Sequence, residues 1–315
     1  MMDPASEHAI ENLLKSGAIK DFNWPSDVAC KKAWELLKLW RKKQESIQYT
    51  ESPVKYITLK EDSKSTSKHL AVLDTATAGD SSKFMVIPSS ETHHAIVDSN
   101  GFLLGYHYHI PNDKLDKLIK STTNLPFTRA DAGKRSQYPT CHYTVWRKYT
   151  TDPFYSKEYM DDHPVSEEWC NANQELFKYL SNGLRMISPD TYARYAGARE
   201  YLGKNGLEPC CGVWFGVAIN QDVTGDTGIH QDLGDHGYNC VVPWGEYKGG
   251  ELILWQLEMA VELQPGDAFF FIGSLIAHNI WGVKGVQHSI DLLCDNMVLS
   301  WKDKCDEKRW GVKLN

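Results

Sequence analysis

The 315-residue chain has no apolar run approaching the roughly 18 residues that span a bilayer, so no membrane helix is expected. It has no excess of basic charge: 34 Lys and Arg face 41 Asp and Glu, a formal net charge of −7. With an isoelectric point near 5.9, a surface that coats phosphate backbones in general is not expected, and only a local basic groove stays open. No C-x-x-C pair occurs among Cys30, Cys141, Cys170, Cys210, Cys211, Cys240, Cys294 and Cys305, which are scattered and mostly sit among apolar neighbours. That usage predicts reduced thiols in an intracellular protein rather than a disulfide framework. The first 21 residues carry Asp3, Glu7, Glu11 and Asp21 where a signal peptide needs an apolar stretch, so a nuclear or cytoplasmic location is expected. Internal repeats and Pro/Ser-rich linkers are also absent, which favours one domain with helices packed outside its sheets. At 42% hydrophobic and 24% charged residues, the chain has the composition of a globular protein with a substantial core.

Segment 24–44, WPSDVACKKAWELLKLWRKKQ, reads as an amphipathic helix opened by Pro25–Asp27, with Val28, Trp34, Leu37 and Trp40 on one face. The opposite face holds Lys31, Lys32, Lys38, Arg41, Lys42 and Lys43, which either meet phosphates or are simply solvated. Residues 54–109 are β-rich: VKYITL, HLAVLD, KFMVIP, and a hairpin of HHAIVD and FLLGYHYHI around Asn100-Gly101. Helices are expected from Pro111 to about Thr122, over Ser166–Leu180 with Ser166 as its cap, and from Ser188 to Gly203. The stretch 124–164 between them reads as irregular. After Gly206 short strands follow one another between Gly, Pro and Asp: CGVWFGVAIN, YNCVVPW, GELILWQ, AVELQ, DAFFFIG, AHNIWGV and HSIDLLCD. This pattern predicts an α+β chain with a mainly β core, a double-sheet jelly roll with flanking helices and an N-terminal helical and β extension. The expected division is a helical segment 1–50, a β-rich and helical elaboration 51–205, the core 206–300 and a tail 301–315.

The only H-x-D in the chain is His230-Gln231-Asp232. In an extended segment residues i and i+2 point the same way, so the imidazole and carboxylate can face one ion. His278, which follows the apolar strand Ala268–Ser274 and the turn Gln264-Pro265-Gly266-Asp267, is the natural third ligand. Two histidines and one carboxylate on one face leave open octahedral positions suited to Fe(II) that must bind a co-substrate and dioxygen, although the ligand set alone also admits zinc.

The series Ala218-Ile219-Asn220, His230, Asp232, Asp235, PWGEYKGGEL from Pro243 to Leu252, QPGD from Gln264 to Asp267, and His278 resembles the Fe(II)- and 2-oxoglutarate-dependent dioxygenases, and within them the TET/JBP-like branch found in fungi and other eukaryotes. The resemblance covers about Gly212 to Leu293. It implies a double-stranded β-helix with iron at its open end and dioxygen and a 2-oxo acid as co-substrates. It further implies hydroxylation of a C–H bond, with the methyl group of 5-methylcytosine or a related methylated base in nucleic acid as the target. It assigns a substrate contact and catalytic role to Asp235, whose carboxylate can accept from an exocyclic amine, and places Asn220 and His236 near the substrate. Asp235 and Asn220 otherwise brace turns beside the site.

The chain departs from that family at one position. An Arg that pairs with the distal carboxylate of 2-oxoglutarate is usual about nine residues after the distal His, and here HNIWGVKGVQHS puts Gln287 there. A neutral amide lacks the charged bidentate fork of a guanidinium, a loss of about 1.5–3 kcal/mol. Three explanations follow: a substitute cation from Lys284, His288, Lys248 or Arg199, another reductant such as ascorbate, or an inactive iron-binding relic. Ser289 keeps its family position, so Gln287, His288, Ser289, Lys284 and Arg199 are the co-substrate candidates. The rival functions are a small-molecule Fe(II) oxygenase and a non-catalytic jelly-roll binding protein.

His93-His94 and the pair His107 and His109 read as surface or satisfied core histidines, and Cys210-Cys211 as structural. Lys134-Arg135, Arg147-Lys148, Arg194 and Arg199 lie among Tyr138, Tyr143, Trp146, Tyr192 and Tyr195, a mix that either grips a phosphate backbone and stacks a displaced base or is an ordinary packed surface.

Overall fold

A computed structural model describes residues 48–51, 84–89, 93–97, 103–129, 138–148 and 150–310. The predicted helix 24–44 with its basic face, the strands VKYITL and HLAVLD, Lys134-Arg135 and the hairpin turn at Asn100-Gly101 lie outside them. The strands are β1 (Gln48–Glu51), β2 (Met85–Ile87), β3 (His94–Val97), β4 (Leu103–His109), β5 (Thr128–Arg129), β6 (Pro139–Trp146), β7 (Phe154–Tyr155) and β8 (Gly216–Val223). After them come β9 (Asn239–Lys248), β10 (Glu251–Leu254), β11 (Met259–Val261), β12 (Asp267–Phe271), β13 (His278–Trp281) and β14 (Lys284–Leu293). The helices are α1 (Asn112–Thr122), α2 (Lys157–Asp161), α3 (Val165–Ala172), α4 (Gln174–Ile187), α5 (Pro189–Lys204) and α6 (Asn296–Trp310).

Two sheets form. The large one has the order β1-β3-β4-β12-β9-β14-β8-β6-β5, with β7 on β6; the small one has the order β13-β10-β11-β2. Alternation along β12 explains how they stack: Phe269 and Phe271 point into a layer with Leu252, Leu254, Met259 and Val261 of the small sheet, whereas Ala268 and Phe270 point the other way. The second layer is filled by Leu115 and Leu118 of α1, Phe177, Leu180 and Leu184 of α4, and Tyr195 and Leu202 of α5. Their recurrence at helical spacing is what turns one face of each helix to the sheet. This is the mixed α+β jelly roll that the repeated short strands predict. Among the described residues no helix is long and apolar enough to cross a membrane.

The predicted helix Ser166–Leu180 is instead two helices, α3 and α4, broken at Asn173, whose φ of −102° and ψ of 10° leave the helical region. Its Nδ2 donates to Ser121 Oγ on α1 and to Trp169 O, both at 2.9 Å, a tertiary contact that competes with the helix ladder. Ser166 is not the cap: Pro164 holds that place, and the Ser166 hydroxyl donates to Tyr159 O at 2.8 Å. The stretch 124–164, expected to be irregular, contributes β6, which pairs with β8 over Thr140–Thr144. The cysteine expectation also fails for one pair. Cys170 on α3 and Cys210 before β8 are joined by a disulfide, because the fold brings positions 40 residues apart to a Cα–Cα distance of 5.4 Å. Cys141, Cys211, Cys240 and Cys294 are free and buried, and Cys305 is free and half-buried.

The QPGD turn serves the fold. Asp267 Oδ2 accepts from the Gln264 N–H at 2.7 Å and from Ser89 Oγ at 2.6 Å, while Oδ1 lies 3.0 Å from Nε2 of the fully buried His107 and 3.3 Å from Nδ1 of His109. His107 is thus paired with Asp267 at Nε2 inside the core, its Nδ1 has no hydrogen-bond partner, and His109 is half-exposed. Burial would raise the Asp267 carboxyl, but His107, Ser89 and the Gln264 N–H together hold it below the usual carboxylate range. Asp267→Ala strands His107 and is expected to cost about 3–5 kcal/mol in urea unfolding. Because the folded-state pKa is depressed, this contribution is present at neutral pH and is lost as pH falls through that lowered value. The stability gap between wild type and Asp267→Asn should therefore narrow on acidification, and a gap that stays constant with pH would refute the assignment.

Candidate metal centre and adjoining cavity

His230 and Asp232 lie on the connection from β8 to β9, and His278 opens β13 of the small sheet. A local antiparallel bridge brings them together: the His230 N–H donates to His278 O at 3.0 Å and the His278 N–H to His230 O at 2.8 Å. The Asp232 N–H donates to Gly273 O at 2.9 Å, which places its carboxylate over the same spot. His278 Nε2 is 3.3 Å from Asp232 Oδ2, and His230 Nε2 is 3.7 Å from Asp232 Oδ1. One ligand atom from each residue falls within 4.8 Å of the others.

Tautomers can be read from the outer contacts. His230 Nδ1 lies 2.9 Å from Gly228 O and His278 Nδ1 lies 2.8 Å from Ile276 O. A carbonyl only accepts, so both Nδ1 atoms carry the proton and both Nε2 lone pairs face Asp232, the arrangement a divalent cation requires of imidazole ligands. The edge of the His278 ring packs on Phe271, with centroids 4.7 Å apart. Below it Asn279 Nδ2 reaches Thr227 O at 3.1 Å and accepts at Oδ1 from Trp255 Nε1 at 2.8 Å, clamping β13 to the ligand-bearing segment. Two histidines and a carboxylate so held fit Fe(II).

Gly273 is a positioning residue without a sequence signal of its own. A Cβ there would come within 2.8 Å of Asp232 Oδ2. The Asp232 side chain must swing away and the buried Asn239 amide, 3.2 Å from that Cβ, must give slightly, so Gly273→Ala should cost stability modestly while weakening metal binding by about ten- to a hundredfold, as outer-contact changes at metal sites do. Isothermal titration with Mn(II) checks this, and unaltered affinity would show that the close approach has no role.

A cavity of about 90 Å³ adjoins the triad, lined among others by Tyr138, Asn220, Gln287, Ser289 and Asp291 together with His230 and His278. Gln287, Ser289 and Asp291 alternate along β14 and so share its inner face. Asn220 on β8 faces Ser289 in register, donates to Ser289 Oγ at 3.2 Å and accepts from Thr140 Oγ1 at 3.1 Å. Gln287 is buried, with Nε2 3.5 Å from Gly250 O. At Gly250, where φ is 75°, a Cβ would meet that Nε2 at 2.7 Å, so glycine there makes room for the amide.

The other sequence candidates lie elsewhere. Asp235 does not line the cavity: its Oδ2 accepts from Asn239 Nδ2 at 2.7 Å and its N–H donates to Asp232 O at 2.8 Å. Burial, then the charge of Asp232, pushes its carboxyl up to about 7 against the hydrogen bond from Asn239. The His236 N–H donates to Cys294 O at 2.9 Å, its own carbonyl accepts from Tyr195 Oη, and burial lowers its imidazole. His288 points away from the cavity face, stacks on Trp244 with centroids 5.7 Å apart and accepts at Nδ1 from the Asp222 N–H at 3.2 Å. Lys284 and Lys248 are paired in register at the far strand ends. Arg199 donates to Gly212 O and borders a separate groove of about 860 Å³ beside α4 and α5. Apart from the two triad histidines, no cationic side chain is among the residues lining the cavity.

The basic and aromatic mixture is largely packed. Tyr143 and Tyr195 are buried, and Arg194 pairs with Asp303 at 2.9 Å. Lys148, over the Trp146 ring at 4.6 Å, is left as a cation beside an aromatic face.

No protein-family model and no curated protein matches the sequence. Among solved structures, NgTET1 in complex with 5mC DNA aligns over 75% of this chain and 91% of that chain, with a TM-score of 0.52 and 15% identity. This chain shares the fold of NgTET1. A 2OG-Fe(II) oxygenase family oxidoreductase from Burkholderia pseudomallei aligns over 59% of this chain and 82% of that chain at 14% identity with a TM-score of 0.39. The viral collagen prolyl hydroxylase vCPH from Paramecium Bursaria Chlorella virus-1, in its 2OG complex, aligns over 60% and 95% at 12% identity with a TM-score of 0.33. The predicted double-stranded β-helix is the fold shared with NgTET1, and its His-Asp-His group joins the β8–β9 connection of the large sheet to β13 of the small one.

Proposed function

We propose that this chain is a non-haem Fe(II) dioxygenase that hydroxylates a C–H bond, with the methyl group of 5-methylcytosine or a related methylated base as its target. The observation that carries this reading is the convergence of His230, Asp232 and His278, with both imidazoles held by backbone carbonyls so that Nε2 faces the carboxylate. Fe(II) held there would supply dioxygen activation and the oxidising power for the C–H bond. The protein's own part is to fix three ligands, leave the remaining positions open and shield the site between two apolar sheets. The base reading draws on the fold shared with NgTET1, whose structure holds 5mC DNA. Lys148, over the Trp146 ring, is a basic and aromatic pair suited to a nucleic-acid strand.

The cavity does not fit 2-oxoglutarate as the usual Arg would. Gln287, Ser289 and Asn220 offer neutral hydrogen bonds to a distal carboxylate, and Lys284, Lys248, His288 and Arg199 lie off the cavity lining. A substitute cation is therefore the weakest of the three explanations. A 2-oxo acid held without charge pairing, or a neutral-ended reductant such as ascorbate, accounts better for the lining. The net charge of −7 favours, as a second reading, a small-molecule substrate on the same metal centre.

Anaerobic titration of the Fe(II)-loaded chain with 2-oxoglutarate and, separately, ascorbate tests this reading. A weak visible charge-transfer band with 2-oxoglutarate is expected if a 2-oxo acid chelates the metal. Bound iron with no band would move the co-substrate to ascorbate, and no iron binding would refute the oxygenase reading.

A further inference from the structure

Asp291 is an acid outside the triad whose side chain makes no hydrogen bond or ion pair among the described residues. Its side chain lines the cavity shared with His230 and His278, and it stands on the same face of β14 as Gln287 and Ser289. Oδ1 is buried and has no hydrogen-bond partner. The other oxygen makes no hydrogen bond either and is not among the buried unpaired atoms, so on this half-buried residue it is the oxygen left accessible. Its cross-strand neighbours, Val241 on β9 and Ala218 on β8, are apolar and offer it no side-chain donor. Tyr138 borders the same cavity, and burial, then the charges of Asp291 and Asp232, raises its phenol, so its hydroxyl keeps its proton beside the acids.

Asp235, the acid that the sequence offers for substrate contact, is already engaged by Asn239 and is off the cavity lining. We propose that Asp291 is the specificity-determining residue of the cavity, accepting at its carboxylate a hydrogen bond from an N–H or O–H group of the molecule seated against the triad. The inference deepens the proposed function and rests on it. It names the donor-bearing edge of the substrate, for a methylated cytosine its exocyclic amine, as the group this acid selects. Only the ionised carboxylate is a pure acceptor, and a cation held by the triad favours that form, so the selection belongs to the metal-loaded chain that the test uses. A ligand that presents a carbonyl at the same point sets acceptor against acceptor and is disfavoured.

The test uses the full chain loaded with redox-inert Mn(II) and two single-stranded oligonucleotides that differ at one base, 5-methylcytosine or thymine. Both bases carry the 5-methyl group, and they exchange an amine for a carbonyl at C4. Wild type should bind the 5-methylcytosine strand at least about tenfold tighter. Asp291→Asn, near-isosteric with the acid, can turn its amide NH2 toward a carbonyl and should shift the preference toward thymine. Asp291→Ala should bind the two strands alike. A residue that only shapes the cavity would weaken both strands together and would not shift the preference.

Failure to bind Mn(II) would overturn the metal reading and this inference with it. Mn(II) binding with neither strand bound would overturn the base reading and the role given to Asp291. Mn(II) binding with a preference that is absent in wild type, or unchanged in Asp291→Asn and Asp291→Ala, would overturn this inference alone.

Discussion

His230→Ala and Asp232→Ala should each lose turnover completely and bind divalent metal at least about a hundredfold more weakly than wild type. The physical reason is the small ligand count. A facial site with three protein ligands keeps its ion by preorganisation, and a change in groups that merely touch such ligands already costs ten- to a hundredfold in affinity. The two variants separate loss of metal from loss of fold. Asp232 lies in a field of like charge, and its negative charge helps to push the carboxyls of Asp235 and Asp291 upward. Removing it relieves repulsion, so metal-free Asp232→Ala should melt no lower than metal-free wild type, while the stabilisation that added Mn(II) gives wild type should vanish. Activity retained in either variant would remove the metal assignment.

Gln287→Arg is expected to tighten 2-oxoglutarate by about ten- to a hundredfold, the worth of one charge-assisted hydrogen bond gained in a buried setting. The position is prepared for it. Gln287 is buried on the inner face of β14, its amide reaches the Gly250 carbonyl, and the cavity beside it holds about 90 Å³. A guanidinium there without an anion is a buried, unpaired charge, so the metal-loaded variant should melt below wild type and recover when 2-oxoglutarate is added. An affinity that does not change, in a variant that folds, would show that the co-substrate is held elsewhere. In that event ascorbate, or no co-substrate at all, becomes the leading account.

Much of this arrangement is written in local patterns. Short strands between Gly, Pro and Asp specify two sheets. The alternation in DAFFFIG specifies which aromatic rings meet the small sheet and which meet the helices. His-Gln-Asp in an extended segment commits two side chains to one direction, because the period of a strand is two. The absence of Arg at position 287 is equally legible, since the turn and strand around it keep the family pattern.

Other features depend on contacts between segments far apart in the chain. Asn173 breaks a helix because Ser121 lies opposite it. Cys170 and Cys210 pair because α3 packs against the segment before β8. Asp267 is a structural acid because His107 and His109 arrive beside it on β4. Asp235 and Asp291 are both acids close to the triad in space, and no local rule distinguishes their roles. Packing decides: Asn239 engages the first, and the second is left on the cavity lining without a side-chain partner. Secondary structure and the facing of neighbouring side chains follow from backbone periodicity and hydropathy, which the sequence carries residue by residue. Which buried polar group finds a partner depends on what the tertiary fold delivers to it, and in this chain that separates the acids that hold the structure from the one placed to read a ligand.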